Sequence, residues 1–462
     1  MSPDARAQTP AAARPDAAPG APDVAVVGFG YIGSVIAATL ADRGMRVVGI
    51  DTNAAMVAAV NRGDCPIPEP GLPALVAKGV AAGRLAATTD PAAVAGARAV
   101  LITVGTPLSE DFEADLSHIR AACSAVAPHV AEGAVVMIKS TVPPGTTRAM
   151  HDAVFAPLGR RVAMAFSPER LAEGQAIRDL RSIPILVGGM DAAASAAGAA
   201  FWREALPEVE VMALASPEAA EMVKLADNLW IDLNVALANE LAKLVDALPF
   251  PIDVLEVIAG ANTLKKGQHH VNILTPSNGV GGYCLTKDPW FVDALGRRAG
   301  LDLKIPRASR EANDSMPGHV FARVDGFLKD RGIAPGAARI AVLGYAFKSE
   351  SGDVRFTPVA PLVAALRAAG YGPGLAICDP MVRPEEAAHQ GVDLVADWRA
   401  AAAGAHAVLI LAGHAAFAAI APEDLAAAAA PGALVFDGRI HYPPARIAAL
   451  RAQGLVYMGV GR

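Results

Sequence analysis

Cysteine is scarce in this sequence. Four residues, Cys65, Cys123, Cys284 and Cys378, are spread over a chain of 462. No two of them form a CxxC pair. The spacing leaves one disulfide or one metal-bound cysteine open, but it is typical of a protein from a reducing compartment. We therefore expect a cytoplasmic protein without a metal site.

Long hydrophobic runs are also lacking. Hydrophobic residues make up 53% of the chain, but much of this is alanine. The longest apolar region, residues 407–421, is interrupted by Gly413 and His414, which favours a buried strand and its loop over a membrane span. Residues 1–22 are rich in alanine and proline and contain no continuous apolar segment. We predict a disordered tail there rather than a signal peptide.

An excess of basic residues is the third absence. The formal net charge is −6 and the isoelectric point is about 5.9. This balance argues against a general nucleic-acid binder, although it is compatible with a local basic pocket. We expect neither a nucleic acid nor a membrane as a partner.

A glycine-rich turn follows the tail. The segment VAVVGFGYIG, residues 24–33, combines a short apolar strand with the GxGxxG pattern of Gly28, Gly30 and Gly33, and an apolar helical stretch follows. A second apolar strand ends at Asp51. Such glycines permit a tight turn and close approach of a pyrophosphate to a helix N-terminus, and an acid at Asp51 would bind the adenosine ribose and repel a 2′-phosphate. The pattern predicts a dinucleotide site that prefers NAD to NADP.

The C-terminal third repeats the plan of the first third. IAVLGYAF from Ile340 resembles VAVVGFGY from Val24, and AGAHAVLI from Ala403 resembles AGARAVLI from Ala95. PGALVF from Pro431 resembles EGAVVM from Glu132, and the three pairs of segments occur in the same order along the chain. Only the first copy keeps GxGxxG, so the second is expected to bind a different ligand, and Lys348 suggests an anionic one. The fold prediction is α/β, with two Rossmann-like doubly wound domains joined by a long central helix.

The long helix is predicted between the two copies. Ser216 and Pro217 form a typical helix start, and no glycine or proline follows until after Asp246. A helix of this length would extend about 45 Å at 1.5 Å per residue. Lys224 and Asn228 are four residues apart and therefore share one face. Spacing alone would make this a solvated polar face.

Seven blocks occur in this order along the chain: GFGYIG, VGTPL, KSTVPPGTT, FSPERLAEG, EMVKLADN, GVGGYCLTKDP and GYAFKSESGDVR. Together they resemble the nucleotide-sugar 6-dehydrogenases, a family that includes the UDP-glucose, GDP-mannose and UDP-N-acetylmannosamine enzymes. The resemblance covers the chain from about Asp23 to the C-terminus. It implies NAD as the cofactor, a UDP-sugar as the substrate, and a homodimer or dimer-based oligomer built on the central helix.

The resemblance implies a chemical role for Cys284. Family members oxidise the C6 alcohol of the sugar to a carboxylate with two molecules of NAD in succession. The second oxidation needs a thiolate that adds to the aldehyde, and Cys284 matches that nucleophile. By the same resemblance Lys224 and Asn228 stabilise negative charge on the C6 oxygen, and Asp288 acts on the alcohol. Glu169 is implied in the formation and hydrolysis of the thioester, and Thr141 is implied as a neighbour of the catalytic water.

The resemblance also implies binding residues for the cofactor and for the nucleotide sugar. Gly281 and Gly282 are expected to let the backbone approach the sugar without a Cβ atom. The expected cofactor contacts are Gly28, Gly30, Tyr31, Ile32, Gly33, Asp51, Thr106, Thr141, Glu173 and Lys287. The expected substrate contacts are Glu169, Arg170, Leu171, Lys224, Asn228, His270, Asn272, Gly281, Lys348 and Arg355.

The blocks favour one branch of the family without deciding the sugar. EMVKLADN, HHVNIL and REAND look most like the UDP-N-acetylmannosamine branch, whereas Tyr283 and Lys287 are as in UDP-glucose enzymes. Family members often donate an arginine to the substrate of the partner subunit. No arginine occurs between Arg203 and Arg297, which leaves a group of lysines and histidines as the basic candidates: Lys265, Lys266, His269 and His270.

The preferred prediction is four-electron oxidation of a UDP-N-acetylhexosamine for surface polysaccharide synthesis. UDP-glucose and GDP-mannose remain alternative substrates. A single-oxidation dehydrogenase of the same fold and a non-catalytic NAD- or nucleotide-sugar-binding regulator remain alternative functions. The expected division of the chain is a tail (1–22), an NAD-binding domain (23–215), a helical central region with the cysteine loop (216–325) and a nucleotide-sugar-binding domain (326–462).

Overall fold

The computed structural model describes residues 21–267 and 269–462. The chain forms two compact units, of which unit 1 ends at Leu225 and unit 2 runs from Ala226 to Arg462. The predicted tail lies outside the described residues, apart from Ala21 and Pro22.

Unit 1 is built on an eight-stranded sheet with the order β3-β2-β1-β4-β5-β6-β7-β8. All neighbours are parallel except β6 and β7. Alternate residues of β1 belong to two different hydrophobic clusters, one on each face of the sheet. This explains why β1 is apolar and buried at every position, as expected where helices cover both faces. The strands are β1 (Val24–Val27), β2 (Val47–Ile50), β3 (Leu85–Thr88), β4 (Ala99–Ile102), β5 (Val135–Ile138), β6 (Ala163–Phe166), β7 (Ile185–Gly189) and β8 (Val211–Leu214).

The helices of unit 1 lie mostly in the connections between these strands. They are α1 (Tyr31–Asp42), α2 (Ala54–Asn61), α3 (Leu72–Ala81), α4 (Ser117–Val126), α5 (Thr146–Met150), α6 (Ala176–Leu180) and α7 (Ala192–Ala205), with short 3₁₀ or π turns at Pro91–Val94, Ala127–His129, His151–Phe155 and Ala156–Leu158.

Helix α8 (Pro217–Ala247) begins in unit 1 and ends in unit 2. The Ser216 hydroxyl accepts a hydrogen bond from the Ala219 N–H at 3.2 Å, so Ser216 caps the helix as the sequence predicts. The predicted long helix is confirmed within a residue at its C-terminal end.

Unit 2 contains a five-stranded parallel sheet with the order β12-β11-β13-β14-β15. This order matches β2-β1-β4-β5-β6 of unit 1. The AVLI segments of β4 and β13 occupy equivalent places, since each pairs residue for residue with the first strand of its own sheet. The strands are β11 (Ile340–Leu343), β12 (Leu375–Cys378), β13 (Ala407–Ile410), β14 (Leu434–Asp437) and β15 (Val456–Gly459), and a separate antiparallel hairpin consists of β9 (Lys265–Lys266) and β10 (His269–His270).

The helices of unit 2 fall before and within this second sheet. They are α9 (Val254–Ala261), α10 (Asp288–Arg298), α11 (Ile305–Asp314), α12 (Met316–Asp330), α13 (Val359–Ala368), α14 (Pro384–His389), α15 (Trp398–Ala402), α16 (Ala415–Ala418), α17 (Pro422–Ala428) and α18 (Pro444–Ala452), with 3₁₀ turns at Pro335–Ala337 and Gly372–Gly374. The predicted fold, two doubly wound α/β sheets with a long helix between them, is confirmed. None of the helices among the described residues has the length and hydropathy that a bilayer span requires.

Candidate active site

The glycine-rich turn of unit 1 leaves room for a ligand. Gly28 has φ +91°, and a Cβ atom there would lie 2.9 Å from the Val104 nitrogen. A Cβ at Gly33 would lie 2.0 Å from the Gly28 carbonyl oxygen, whereas one at Gly30 would meet no atom within 4 Å. Gly28 and Gly33 are therefore required by packing, and Gly30 provides open space next to the start of α1. The first N–H groups of a helix have no acceptor within it, so this turn fits a pyrophosphate.

Asp51 lies at the end of β2, next to the same turn. Its Oδ2 accepts a hydrogen bond from the Phe29 N–H at 2.6 Å, and its Oδ1 accepts one from the Asn53 N–H at 2.8 Å. Asp51 is partly exposed. These contacts orient the carboxylate and leave part of it accessible to a ribose diol.

Two threonines meet at the ends of β4 and β5. The Thr106 hydroxyl donates a hydrogen bond to the carbonyl oxygen of Thr141 at 2.7 Å. The carboxyl ends of parallel strands are where ligands bind in doubly wound folds. The structure thus brings two predicted cofactor contacts together in unit 1.

Tyr31 belongs to a network that the sequence did not predict. Its hydroxyl donates to the carboxylate of Glu69, which also accepts hydrogen bonds from the Gly174 and Ala176 N–H groups at 2.7 and 2.8 Å. Burial, together with Glu69, raises the pKa of Tyr31. Glu69 therefore connects the first residue of α1 to the loop that carries Glu173. The adjoining Ile32 packs against the hydrophobic core of unit 1.

Glu169 and Lys224 form a largely buried ion pair within unit 1. Glu169 Oε2 and Lys224 Nζ are 3.6 Å apart, and the side chains are 11% and 7% exposed. The interpretation of Lys224 as part of a solvated helix face is therefore wrong, because its ammonium group is removed from bulk water and paired. The next two residues of the chain have structural contacts. Arg170 donates a hydrogen bond to the Pro184 carbonyl at 3.4 Å, and Leu171 packs against the hydrophobic core of unit 1.

A second buried lysine lies next to this pair. Lys139 donates hydrogen bonds to the carbonyl oxygen and hydroxyl of Ser167 at 3.0 and 3.3 Å, and lies 4.9 Å from the ring centre of Trp202. Burial lowers the pKa of Lys139 to about 8. Lys139 and Glu169 line one cavity of about 20 Å³, room for about one water molecule. Sequence reasoning assigned no role to Lys139, since its partners lie far along the chain.

Cys284 lies in the turn that precedes α10 in unit 2. It is exposed, and its carbonyl oxygen accepts hydrogen bonds from the Lys287 and Asp288 N–H groups at 3.1 and 2.8 Å. No disulfide joins the four cysteines, all of which are described. Burial raises the thiol pKa of Cys65, and of Cys123 and Cys378 to about 12 and 11 respectively.

Asp288 is held by two polar side chains of unit 2. The residue is 0% exposed; its Oδ1 lies 2.5 Å from Lys287 Nζ, and its Oδ2 accepts a hydrogen bond from the Asn228 amide. The Lys287 ammonium also lies 4.1 Å from the ring centre of Phe291. The structure thus brings Asn228, Lys287 and Asp288 together beside the backbone of Cys284.

The glycines before Cys284 are required by packing. A Cβ atom at Gly281 would lie 2.4 Å from the Phe347 Cβ, and one at Gly282 would lie 2.6 Å from the Phe347 ring. Gly282 also has φ +87°. The sequence suggested that both glycines make room for a sugar; in the structure, Phe347 takes the space that a Cβ atom would need.

The loop after β11 carries both predicted phosphate contacts. Arg355 forms an ion pair with Asp353 at 2.5 Å, and its carbonyl accepts a hydrogen bond from the Gly282 N–H at 3.1 Å. Lys348 is half-buried at the start of the loop. The loop is therefore attached through its backbone to residues 277–288, which carry Cys284 and are called the cysteine segment below.

Arg439 is a further residue of this region that sequence reasoning missed. Its guanidinium donates hydrogen bonds to Asn278 Oδ1 at 3.1 Å and to the Gly279 and Phe347 carbonyls at 3.2 and 2.8 Å. Burial lowers the pKa of Arg439 to about 10. It ties the cysteine segment to the loop after β11, and its position within DGRI carries no local signal of that function.

His270 and Asn272 lie apart from these clusters in sequence, on and just after the β9–β10 hairpin. His270 is exposed, and the Asn272 carbonyl accepts a hydrogen bond from the Asn234 amide at 2.7 Å. Together with Lys265 and His269 they line a depression of about 900 Å³.

Three models of one protein family match this chain. The UDP-glucose/GDP-mannose dehydrogenase family matches with its NAD binding domain at residues 22–206, its central domain at 218–315 and its UDP binding domain at 341–444.

Curated relatives agree with these models. An NDP-N-acetyl-D-galactosaminuronic acid dehydrogenase of Ralstonia nicotianae is 34% identical over 92% of this chain and 97% of its own. A UDP-N-acetyl-D-mannosamine dehydrogenase of Salmonella typhi is 34% identical over 87% of this chain and 95% of its own.

Solved structures show the same fold. A UDP-D-ManNAc dehydrogenase of Pyrococcus horikoshii superposes with a TM-score of 0.83 at 31% identity, covering 95% of this chain and 99% of the other. A UDP-glucose dehydrogenase of Pyrobaculum islandicum gives 0.80 at 29% identity, covering 96% and 98%. The alternatives of a single-oxidation dehydrogenase of the same fold and of a non-catalytic regulator are set aside. The chain belongs to the UDP-glucose/GDP-mannose dehydrogenase family and is an NAD-dependent nucleotide-sugar dehydrogenase.

Proposed function

We propose that this enzyme oxidises the C6 alcohol of a UDP-N-acetylhexosamine to the uronic acid through a thioester on Cys284. NAD, when bound, accepts the hydride of each oxidation. The observation that carries the proposal is the exposed thiol of Cys284 in the turn whose backbone is hydrogen bonded to the start of α10, beside buried Asp288. No other cysteine combines exposure with such surroundings, since the remaining three thiols are buried or half-buried.

The first oxidation requires a base and stabilisation of the C6 oxygen. We assign the base to Asp288, acting on the alcohol through a water molecule. Lys287 and Asn228 keep its carboxylate oriented. Lys224 and Asn228 are assigned to the negative charge that develops on the C6 oxygen, as the family resemblance implies.

The second oxidation begins when the Cys284 thiolate adds to the C6 aldehyde. The resulting thiohemiacetal loses its hydride and becomes a thioester. Water then cleaves the carbon–sulfur bond, which gives the carboxylate and restores the thiol. We assign activation of this water to Glu169, with Thr141 as its neighbour, because Glu169 is held by Lys224 and lines a cavity of water size.

The division of the chain follows the same proposal. We assign NAD binding to residues 23–215, the cysteine loop to a central region 216–325 and nucleotide-sugar binding to 326–462. Lys348 and Arg355 would bind the phosphates of the nucleotide sugar. The product would serve surface polysaccharide synthesis, and we place the enzyme in the cytoplasm.

The preference for an N-acetylhexosamine rests on the relatives. Those at 34% identity carry names that specify N-acetylgalactosaminuronic acid or N-acetylmannosamine. A panel of UDP-N-acetylmannosamine, UDP-N-acetylgalactosamine, UDP-N-acetylglucosamine, UDP-glucose and GDP-mannose tests it directly. We expect the highest kcat/KM with an N-acetylated sugar, and a preference for UDP-glucose would contradict the assignment.

Cys284→Ser tests the covalent step. An alkoxide is far harder to generate than a thiolate, so steady-state turnover should fall on the order of 10³-fold or more. NAD and nucleotide sugar should still bind, and at most a stoichiometric burst of NADH should remain. The matched control is Cys123→Ser, which should keep two NADH per sugar. Wild-type turnover by Cys284→Ser would overturn the thioester mechanism.

We further propose that α8 forms a dimer interface with a second copy of the chain. Exposed apolar side chains recur at helical spacing along it: Trp230 (48%), Leu233 (37%), Leu237 (46%) and Leu244 (55%). A continuous exposed apolar row of this kind is typical of a surface that a protein partner covers. Leu237→Glu should shift the mass measured by light scattering to that of a monomer, while the exposed Leu301→Glu on the same unit should not. A dimer that persists with Leu237→Glu would exclude this interface.

A further inference from the structure

Helix α8 holds the cysteine segment of unit 2 at both ends. Upstream of Cys284, Asn239 Oδ1 accepts a hydrogen bond from the Ser277 N–H at 2.8 Å. Downstream of it, Asn228 donates to Asp288. Asp232 lies one turn after Asn228 on the same helix, and it is 0% exposed. The role of this third buried polar residue is not explained by either contact.

Asp232 forms a buried ion pair with Arg310 of α11. The Arg310 Nη1 donates to Asp232 Oδ1 at 2.7 Å and to the carbonyl oxygen of Leu285 at 3.2 Å. Its Nη2 donates to the carboxylate of Asp314. Leu285 directly follows Cys284, so the guanidinium is bound to the carbonyl group of the residue next to the cysteine.

Asp232 Oδ1 also accepts a hydrogen bond from Asn313 Nδ2 at 2.8 Å, but the pair is not fully satisfied by hydrogen bonds. Among the described residues, no hydrogen-bond partner reaches Asp232 Oδ2 or Arg310 Nε, although both atoms are buried. Burial raises the pKa of Asp232, and the attraction of Arg310 only partly opposes this. Apolar side chains of similar volume often stabilise a fold as well as a buried ion pair does. The pair therefore calls for an explanation other than stability.

We propose that Asp232 and Arg310 are positioning residues for the Cys284 nucleophile. Asp232 fixes the guanidinium, and the guanidinium fixes the Leu285 carbonyl. The Cys284 carbonyl is held independently by the N–H groups of Lys287 and Asp288. With the carbonyls of Cys284 and Leu285 both held, the backbone on the C-terminal side of Cys284 is fixed, and this places the Cβ atom that carries the thiol. This inference rests on the covalent function proposed for Cys284.

The test is the double variant Asp232→Leu with Arg310→Met, which replaces the ion pair by apolar side chains. We expect its thermal stability to be retained or increased, and the KM values for NAD and nucleotide sugar to change little. We expect kcat to fall about a hundredfold, because small misplacement of a reacting group has effects of that size. The pH profile of Cys284 alkylation by iodoacetamide, followed by peptide mass spectrometry, should also shift.

The matched control is Asp246→Leu with Arg323→Met. Asp246 is also on α8 and pairs with Arg323 of α12, which donates a hydrogen bond to the Gly459 carbonyl at 3.0 Å, far along the chain from Cys284. This control should keep the kcat and the alkylation profile of the wild type. If the test variant and the control had the same kcat, the Asp232–Arg310 pair would be structural only.

Arg310→Lys covers the case in which the double variant does not fold. Lysine keeps the charge facing Asp232 but lacks the planar fork that reaches two acceptors at once. We expect kcat to fall with near wild-type stability, and an unchanged kcat would overturn the inference. Cys284→Ser, measured beside these variants, separates the two proposals. If Cys284→Ser is inactive and Arg310→Lys is fully active, only the positioning inference fails.

Discussion

The two sheets place an aspartate at the same topological position and use it differently. Asp51 ends the strand beside β1, and Asp379 ends the strand beside β11. Asp51 accepts two backbone hydrogen bonds and stays partly exposed. Asp379 is 6% exposed and accepts hydrogen bonds from four backbone N–H groups and from His414 Nε2 at 3.2 Å. The Asp51 carboxylate is available to a ligand, whereas the Asp379 carboxylate is used in hydrogen bonds within unit 2.

The turns next to these aspartates differ in the same way. Gly344 keeps the geometry of Gly28: its φ is +99°, and a Cβ atom would lie 2.5 Å from the Ala412 nitrogen. No helix starts directly after it, and Ser349 stands where the first turn has Gly33. The first glycine is thus required in both sheets, because the backbone just after the neighbouring strand lies too close to admit a Cβ atom. The third glycine is required only in the first turn, where a helix starts directly after the strand and packs against the Gly28 carbonyl.

Gly33→Ala tests this comparison at the glycine turn. Its Cβ atom would collide with the Gly28 carbonyl, so the turn must shift. We expect kcat/KM for NAD to fall tenfold to about a hundredfold, which corresponds to the ~1–3 kcal/mol that overpacking costs. Ser349→Ala is the matched change in the second turn and should leave NAD affinity, measured by calorimetry, unchanged. Equal losses in the two variants would show that the turns are not specialised.

Asp379→Asn should destabilise the protein without affecting NAD. Its amide group would face donors that need an acceptor, so we expect a loss of about 3 kcal/mol in the free energy of unfolding. Burial raises the pKa of Asp379, but His414 and the backbone N–H groups outweigh it, and the net pKa lies below its usual value. The stability contributed by ionised Asp379 is therefore present above about pH 4 and is lost as pH falls through the depressed pKa.

Urea unfolding between pH 3 and 8 measures this contribution. The difference between wild type and Asp379→Asn should be constant near neutral pH and should shrink in acid. Asp51→Asn serves as the control, with a smaller loss because fewer donors depend on it. A loss for Asp51→Asn as large as that for Asp379→Asn would contradict the distinction between the two carboxylates.

Asp51→Asn should have its main effect, the smallest of the three, on cofactor choice. Without the carboxylate, the repulsion of a 2′-phosphate is removed while a side-chain oxygen can still accept from Phe29. We expect kcat/KM for NADP relative to NAD to rise about tenfold. Asp379→Asn should leave that ratio unchanged, and an unchanged ratio in Asp51→Asn would refute the role of Asp51 in selecting NAD.

The sequence by itself determined the architecture of both units. Strands such as β4 and β13 are apolar at every position because both faces of each sheet are covered, and this pattern is local in the chain. The glycine turn at Gly28 and the cap at Ser216 are local signals as well. Both features could be predicted from a few adjacent residues, and the structure confirms both.

Only the tertiary structure decided how the site is supported. Glu69, Arg310 and Arg439 have partners that lie 105, 78 and 161 residues away in the chain. No local period or composition records such contacts. Even where the sequence singled out a residue, it did not supply the reason, as at Gly281, where the missing Cβ atom makes room for Phe347. Long-range packing and buried hydrogen bonds depend on which distant segments the fold brings together, and a single sequence carries no local pattern that identifies those segments.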